Sequence, residues 1–178
     1  YGFRNPLVID VGSLSSEQGF IIQGDEPEDQ VGWSVSSAGD VNGDGIDDLI
    51  LGAPEGDDGG DDAGEAYVVY GVAGNTRCTL DLTGLSASDG FIIRGDETRD
   101  RAGTRVASAG DVNGDGIDDM IIGAPNGDDG GYNSGEAYVI YGQTGSSRGT
   151  VDLTELMPSD GFIIQGDEPE DQVGWSVS

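Results

Sequence analysis

The sequence predicts an all-β chain built of tandem four-stranded antiparallel sheets, arranged as a partial or assembling array. Three observations predict it. First, Gly19-Phe20-Ile21-Ile22 recurs at Gly90-Phe91-Ile92-Ile93 and at Gly161-Phe162-Ile163-Ile164, a step of 71 residues. Aligning 19–89 on 90–160 without a gap leaves 47 of 71 positions identical, so the period belongs to the whole unit rather than to one motif. Second, each period holds four short apolar segments bounded by Gly, Asp, Asn and Pro, the pattern of strands and turns. Third, no window keeps a 3.6-residue apolar spacing for three turns. Glycine fills 33 of 178 positions, each weakening a helix by about 1 kcal/mol.

Within the first unit, 32–38 (G-W-S-V-S-S-A) alternates as a half-buried strand does, and 48–53 (D-L-I-L-G-A) is a brief apolar run. Segment 65–70 (E-A-Y-V-V-Y) is β-branched and aromatic, and 90–94 (G-F-I-I-R) closes the unit. One four-stranded sheet per fixed period reads as a propeller blade; a β-solenoid is the runner-up but needs shorter periods. The expected organisation is a partial blade or leading strand over 1–29, with a strand near 19–24. Blades follow over 30–100 and 101–171, and 172–178 opens a following blade. Residues 19–36 and 161–178 are identical, whereas the middle copy differs there. That fits a 142-residue super-repeat, a recent duplication or an engineered array equally well. Tyr1 is expected to begin a processed or excised piece.

Charge excludes several functions. Acidic residues number 35 and basic residues 7, a formal charge of −28, and histidine is absent. Such a surface repels phosphate backbones and anionic lipid, which excludes nucleic acid as a partner. Apolar runs of four or five residues exclude membrane insertion. Without histidine there is no Ser-His-Asp or Cys-His engine and no imidazole metal site. The single cysteine, Cys78, leaves no internal disulfide; its equivalent in the next copy is Gly149. The acidity must be matched by something positive.

The sequence D-V-N-G-D-G-I-D-D, at Asp40–Asp48 and unchanged at Asp111–Asp119, supplies the match. Side-chain oxygens fall at positions 1, 3, 5 and 9: Asp40, Asn42, Asp44 and Asp48, then Asp111, Asn113, Asp115 and Asp119. Ile46 and Ile117, at position 7, offer a backbone carbonyl while their side chains pack inward. Gly45 and Gly116 allow the sharp turn. Hard oxygen donors in a flexible ring suit Ca²⁺, about one per nine-residue loop and so two in this chain. An EF-hand requires Glu at position 12 and a following helix. That position is Leu51 or Ile122, so the EF-hand fails and the dockerin loop fails with it.

The unit as a whole resembles the FG-GAP repeat of integrin α-subunit β-propellers. The motifs that carry the resemblance are G-F-I-I-Q-G (19–24), G-D-V-N-G-D-G-I-D-D-L-I-L-G-A-P (39–54) and G-E-A-Y-V-V-Y-G (64–71). In style the linkers T-L-D-L-T-G-L and T-V-D-L-T-E-L are closest to bacterial secreted and surface FG-GAP proteins. The resemblance implies a loop between the first and second strands of each blade that chelates calcium through the ten residues named above. It also implies an extracellular, secreted or cell-surface module for structure and adhesion, without catalysis. Its partners would be Ca²⁺, neighbouring blades or other copies of the chain, and a cell-surface protein or glycan. Two alternatives stand beside this: the non-catalytic repeat region of a larger secreted enzyme, and a self-assembling fibre or designed repeat subunit.

Smaller features weigh less. Arg94-Gly95-Asp96 spells an adhesion tripeptide, but the other copies read Gln-Gly-Asp, which points to coincidence. Loops 55–65 and 126–136 are acidic and read as hydrated loops before they read as a further cation site. Trp33 and Trp175 share a repeat position held by Thr104 and are expected to pack on their strand rather than stack on a sugar.

Overall fold

A computed structural model describes residues 10–74 and 77–178; residues 1–9, including Tyr1 and the start of the leading segment, lie outside the described residues, as do 75–76. The fold is all-β, with three short 3₁₀ turns, and no helix among the described residues is long and apolar enough to cross a membrane.

The first complete sheet is built from β2 (Ser34–Gly39), β3 (Asp48–Ala53), β4 (Glu65–Val69) and β6 (Gly90–Arg94), all antiparallel in the order β6-β4-β3-β2. The second repeats it with β7 (Arg105–Gly110), β8 (Asp119–Ala124), β9 (Glu136–Ile140) and β11 (Gly161–Gln165). The four apolar segments read from each period are therefore the four strands of a blade. The sheets stack and do not close on themselves.

Alternation along each strand sets the stacking. Ile50, Ala66 and Val68 face the second blade and meet Val106, Ile122, Tyr138 and Ile140 in one buried cluster. Leu51, Tyr67 and Val69 point the other way, onto Leu82, Ile22 and Leu80. All five residues of β4 and of β9 are buried, the leading Glu65 and Glu136 among them, and the rest of each strand is apolar or aromatic, as a strand covered on both faces requires.

Two short strands escaped the sequence reading. β5 (Thr79–Asp81) pairs in parallel with β1 (Ile21–Gln23), and β10 (Val151–Asp152) pairs in parallel with β6. The register is the same in both joins: Ile21 opposes Thr79 and Ile93 opposes Val151, an offset of 58 residues each time. The linker inside each blade thus adds a strand to the outer edge of the blade before it. Over 172–178, where the sequence places the first strand of a following blade, the chain makes a single bridge, Val173 to Gly135.

Backbones meet directly between blades. A Cβ on Gly52 would lie 1.9 Å from the carbonyl oxygen of Gly103, and one on Gly123 would lie 2.0 Å from that of Gly174. The glycine of each G-A-P segment is fixed by this approach.

Candidate metal centres

Each nine-residue loop joins the first and second strands of its blade, β2 to β3 and β7 to β8. Its carboxylates curl the backbone. The amide of Asp44 donates to Asp40 Oδ1 at 2.9 Å and to Asn42 Oδ1 at 2.8 Å, Gly45 N to Asp40 Oδ2 at 2.8 Å, and Ile46 N to Asp44 Oδ1 at 2.9 Å. The second loop repeats these bonds through Asp111, Asn113 and Asp115 at 2.8–3.0 Å. Gly45 and Gly116 take φ of +86° and +90°, the left-handed turn a side chain resists.

The last ligand candidate stands apart from the others. Asp48 is fully buried; its Oδ2 accepts from Val41 N at 3.0 Å and its Oδ1 from Gly71 N at 2.7 Å. Asp119 does the same with Val112 N and Gly142 N. These carboxylates therefore tie the loop to the second residue after the third strand. Burial, together with Asp44 and Asp40, raises the Asp48 pKa to about 6 against the pull of the two amides. Ile46 turns its side chain toward Gly71, where a Cβ would stand 2.6 Å from Ile46 Cγ2, and Ile117 does likewise at Gly142.

The donors suit a hard cation. They are oxygens throughout, and none of the described arginines pairs with a loop carboxylate, since the ion pairs go to Asp89, Asp58, Asp61 and Glu55. The structure brings Asp40, Asn42 and Asp44 into one hydrogen-bonded ring in each loop, with Asp48 at its base. The two loops also differ. Asn42 is buried, because Gly145 N donates to its carbonyl at 2.8 Å and Gln143 N to that of Val41 at 2.9 Å; Asn113 is exposed.

A second acidic grouping was missed. The carboxylates of Asp25, Asp29 and Glu65 converge at the opposite end of the sheet, and those of Asp96, Asp100 and Glu136 repeat the arrangement. A signal was present: across the variable stretch, where E-P-E-D-Q-V becomes E-T-R-D-R-A, Asp29 and Asp100 keep their place. Of the acidic loops 55–65 and 126–136, the closing glutamates join these clusters. Asp57 and Asp128 turn instead to backbone amides, and Asp58 to Arg94.

Trp33 and Trp175 are each 58% exposed, so the packing expected of them is not found. Trp33 lies in the turn before β2, its amide bonded to Gln30 O. Asp96 of the Arg-Gly-Asp triplet accepts the Tyr138 hydroxyl at 2.6 Å rather than standing free on a loop tip.

The FG-GAP repeat profile matches residues 31–69 and 102–140, which run from just before the first strand of each blade to the end of its third. The chain belongs to the FG-GAP repeat family. It is 35% identical to integrin alpha-5 of Xenopus laevis over 138 residues, covering 70% of this chain and 13% of that protein. It is 34% identical to integrin alpha-PS2 of Drosophila melanogaster over 130 residues, 69% of this chain and 8% of that protein. Bos taurus phosphatidylinositol-glycan-specific phospholipase D is 33% identical over 154 residues, 85% of this chain and 17% of that protein. The chain therefore spans less than a fifth of each of these relatives. Their shared part is the FG-GAP unit, a repeat module carried within longer proteins.

Proposed function

We propose that this FG-GAP chain is a calcium-binding, non-catalytic module that serves structure and adhesion in a secreted or cell-surface protein. The observation that carries this is the hydrogen-bonded oxygen ring of Asp40, Asn42 and Asp44, free of any arginine partner among the described residues, with buried Asp48 at its base and the Ile46 carbonyl beside it, repeated at Asp111, Asn113, Asp115, Ile117 and Asp119. Each ring is curled by its own amide bonds and wedged between strands. Calcium held there would fasten the first two strands of a blade, as a disulfide does in other extracellular domains. Binding to the folded state alone stabilises by about 2.7 kcal/mol per site at a hundredfold excess over Kd.

Neighbouring blades or other copies of the chain are the expected partners. Val35 and Leu49 at one end of the stack, and Phe162 and Ile164 at the other, are apolar strand residues left exposed. A cell-surface protein or glycan would find Trp33 and Trp175 accessible. The likeness to a phospholipase D supports a second reading, the same module inside a larger secreted enzyme.

Calorimetry of the 178-residue chain tests the calcium reading. Calcium should bind and raise the melting temperature, chelator should reverse the rise, and Asp44→Ala with Asp115→Ala should remove the share of the response that the two loops supply. No heat of binding at millimolar calcium would refute it.

A further inference from the structure

The geometry points to a second divalent-cation site in each repeat, formed by Asp25, Asp29 and Glu65 and again by Asp96, Asp100 and Glu136. These residues lie far from the nine-residue loops. Glu65 opposes Ala53, the end of β3 remote from the loop that opens it, and Glu136 opposes Ala124 likewise. Asp25 and Asp29 come from the connection 24–33, which leads into β2; Asp96 and Asp100 come from the matching connection between the two blades. A cation held by these groups would pin each connection to the third strand of the blade it leads into.

One carboxylate oxygen from each of the three residues lies within 4.8 Å of the others in both clusters. Asp29 is 5% exposed and Asp100 4%, Glu65 1% and Glu136 0%. Proximity alone would be a weak argument, because acidic groups gather on many surfaces. What points to a ligand is the missing partner. No described hydrogen bond or ion pair reaches the side chain of Asp29 or Asp100, and Oδ1 of Asp25 and of Asp96 is buried without a donor.

Tyr67 and Tyr138 supply one proton each and cannot complete the set. Tyr67 Oη lies 2.6 Å from Asp25 Oδ2 and 2.5 Å from Glu65 Oε2. Tyr138 stands between Asp96 and Glu136 in the same way. A hydroxyl donates once, so one of its two neighbours is always left short. The remaining donors are the Asp58 and Asp129 amides, each bonded to Oε1 of the glutamate. Two buried acids and a half-buried third with so few donors need protons or a cation. All donors are hard oxygens, which selects calcium or a similar ion over thiophilic metals.

The test counts calcium bound at equilibrium by the full chain carrying Asp44→Ala and Asp115→Ala, so the loop reading stands or falls separately. About one equivalent per cluster should remain and vanish on adding Asp29→Asn and Asp100→Asn. No calcium bound by the loop variant, or the same amount after the Asn changes, would overturn the proposal and leave the clusters as proton-sharing carboxyls. Terbium luminescence excited through tyrosine checks the site with a different substitution. Emission should fall severalfold in Tyr67→Phe with Tyr138→Phe while the calcium count is kept; unchanged emission would count against it.

Discussion

Asp118 in the second nine-residue loop accepts the backbone amide of Asp40 in the first through Oδ2 at 2.9 Å, and its own amide donates back to the Asp40 carbonyl at 3.3 Å. The residue that opens one ring is thereby held by a residue of the other. Asp118 itself lies at position 8 of its loop, outside the proposed ligand set.

Calcium binding at the first loop should therefore depend on Asp118. With the second loop silenced by Asp115→Ala, Asp118→Ala should weaken binding at the first loop by about tenfold, the equivalent of one lost charge-assisted hydrogen bond of about 1.4 kcal/mol. Calorimetric titration of the two variants makes the comparison. An unchanged Kd would mean the contact is incidental.

Gly39 and Gly110 hold the same repeat position and offer a matched pair. Both have positive φ, +77° and +66°. A Cβ on Gly39 would lie 2.2 Å from Asp118 Oδ2, whereas one on Gly110 would meet nothing within 4 Å. Gly110→Ala should cost about 1 kcal/mol, the left-handed penalty alone, and Gly39→Ala about 3 kcal/mol. Urea unfolding of the two variants would show equal losses if the loop contact carried no weight.

The stability of the calcium-free chain should fall as pH rises from about 4 to about 7. Asp29 and Asp48 titrate at about 6 and Asp100 at about 7 when folded, against 3.8 for an ordinary aspartate. Their raised folded pKa means the native state binds more protons than the unfolded one across that window. Their contribution is full below 3.8 and lost as pH climbs through 6 and 7. Each tenfold gain in proton affinity on folding is worth about 1.4 kcal/mol, so the three together make a change of several kcal/mol. Melting in chelator across this range should show a falling temperature, and a rising one would contradict the assignment.

Adhesion through Arg94-Gly95-Asp96 should be absent. Arg94 donates to Asp58 at 2.9 Å and Asp96 is held by Tyr138, so neither side chain is presented for a receptor. Cells plated on the immobilised chain and on its Asp96→Glu variant should spread equally. Spreading lost in the variant alone would show that the triplet is read after all.

The blade was legible because its information is local. Gly-Phe-Ile-Ile, the apolar run after the acidic loop and Glu-Ala-Tyr-Val-Val each become one strand, and the 71-residue period states how many blades to expect. The parallel joins were not legible. β5 and β10 are two or three residues long, and nothing within T-L-D-L or T-V-D-L shows that the partner stands 58 residues earlier. The same division holds for the sites. Asp40, Asn42 and Asp44 lie next to one another in sequence, so spacing alone proposes them. Asp25, Asp29 and Glu65 are brought together by the third strand closing against a connection 36 residues upstream of it, which no spacing rule registers. Trp33 misled for a simpler reason: it stands one residue before its strand begins, and the alternation of the strand does not govern it.

The parallel joins at offset 58 also give the stack a polarity. Each unit hands a short strand backward to its predecessor, so the edges at β1 and β6 are each sealed by a later part of the chain. Injury in such an array should spread in one direction. Unravelling a unit strips the seal from the edge before it, as loss of Val151–Asp152 would bare β6, while the unit after it keeps its own edge intact. Proteolytic nicking in the second blade should therefore expose the first, and nicking in the first should leave the outer edge of the second as it was.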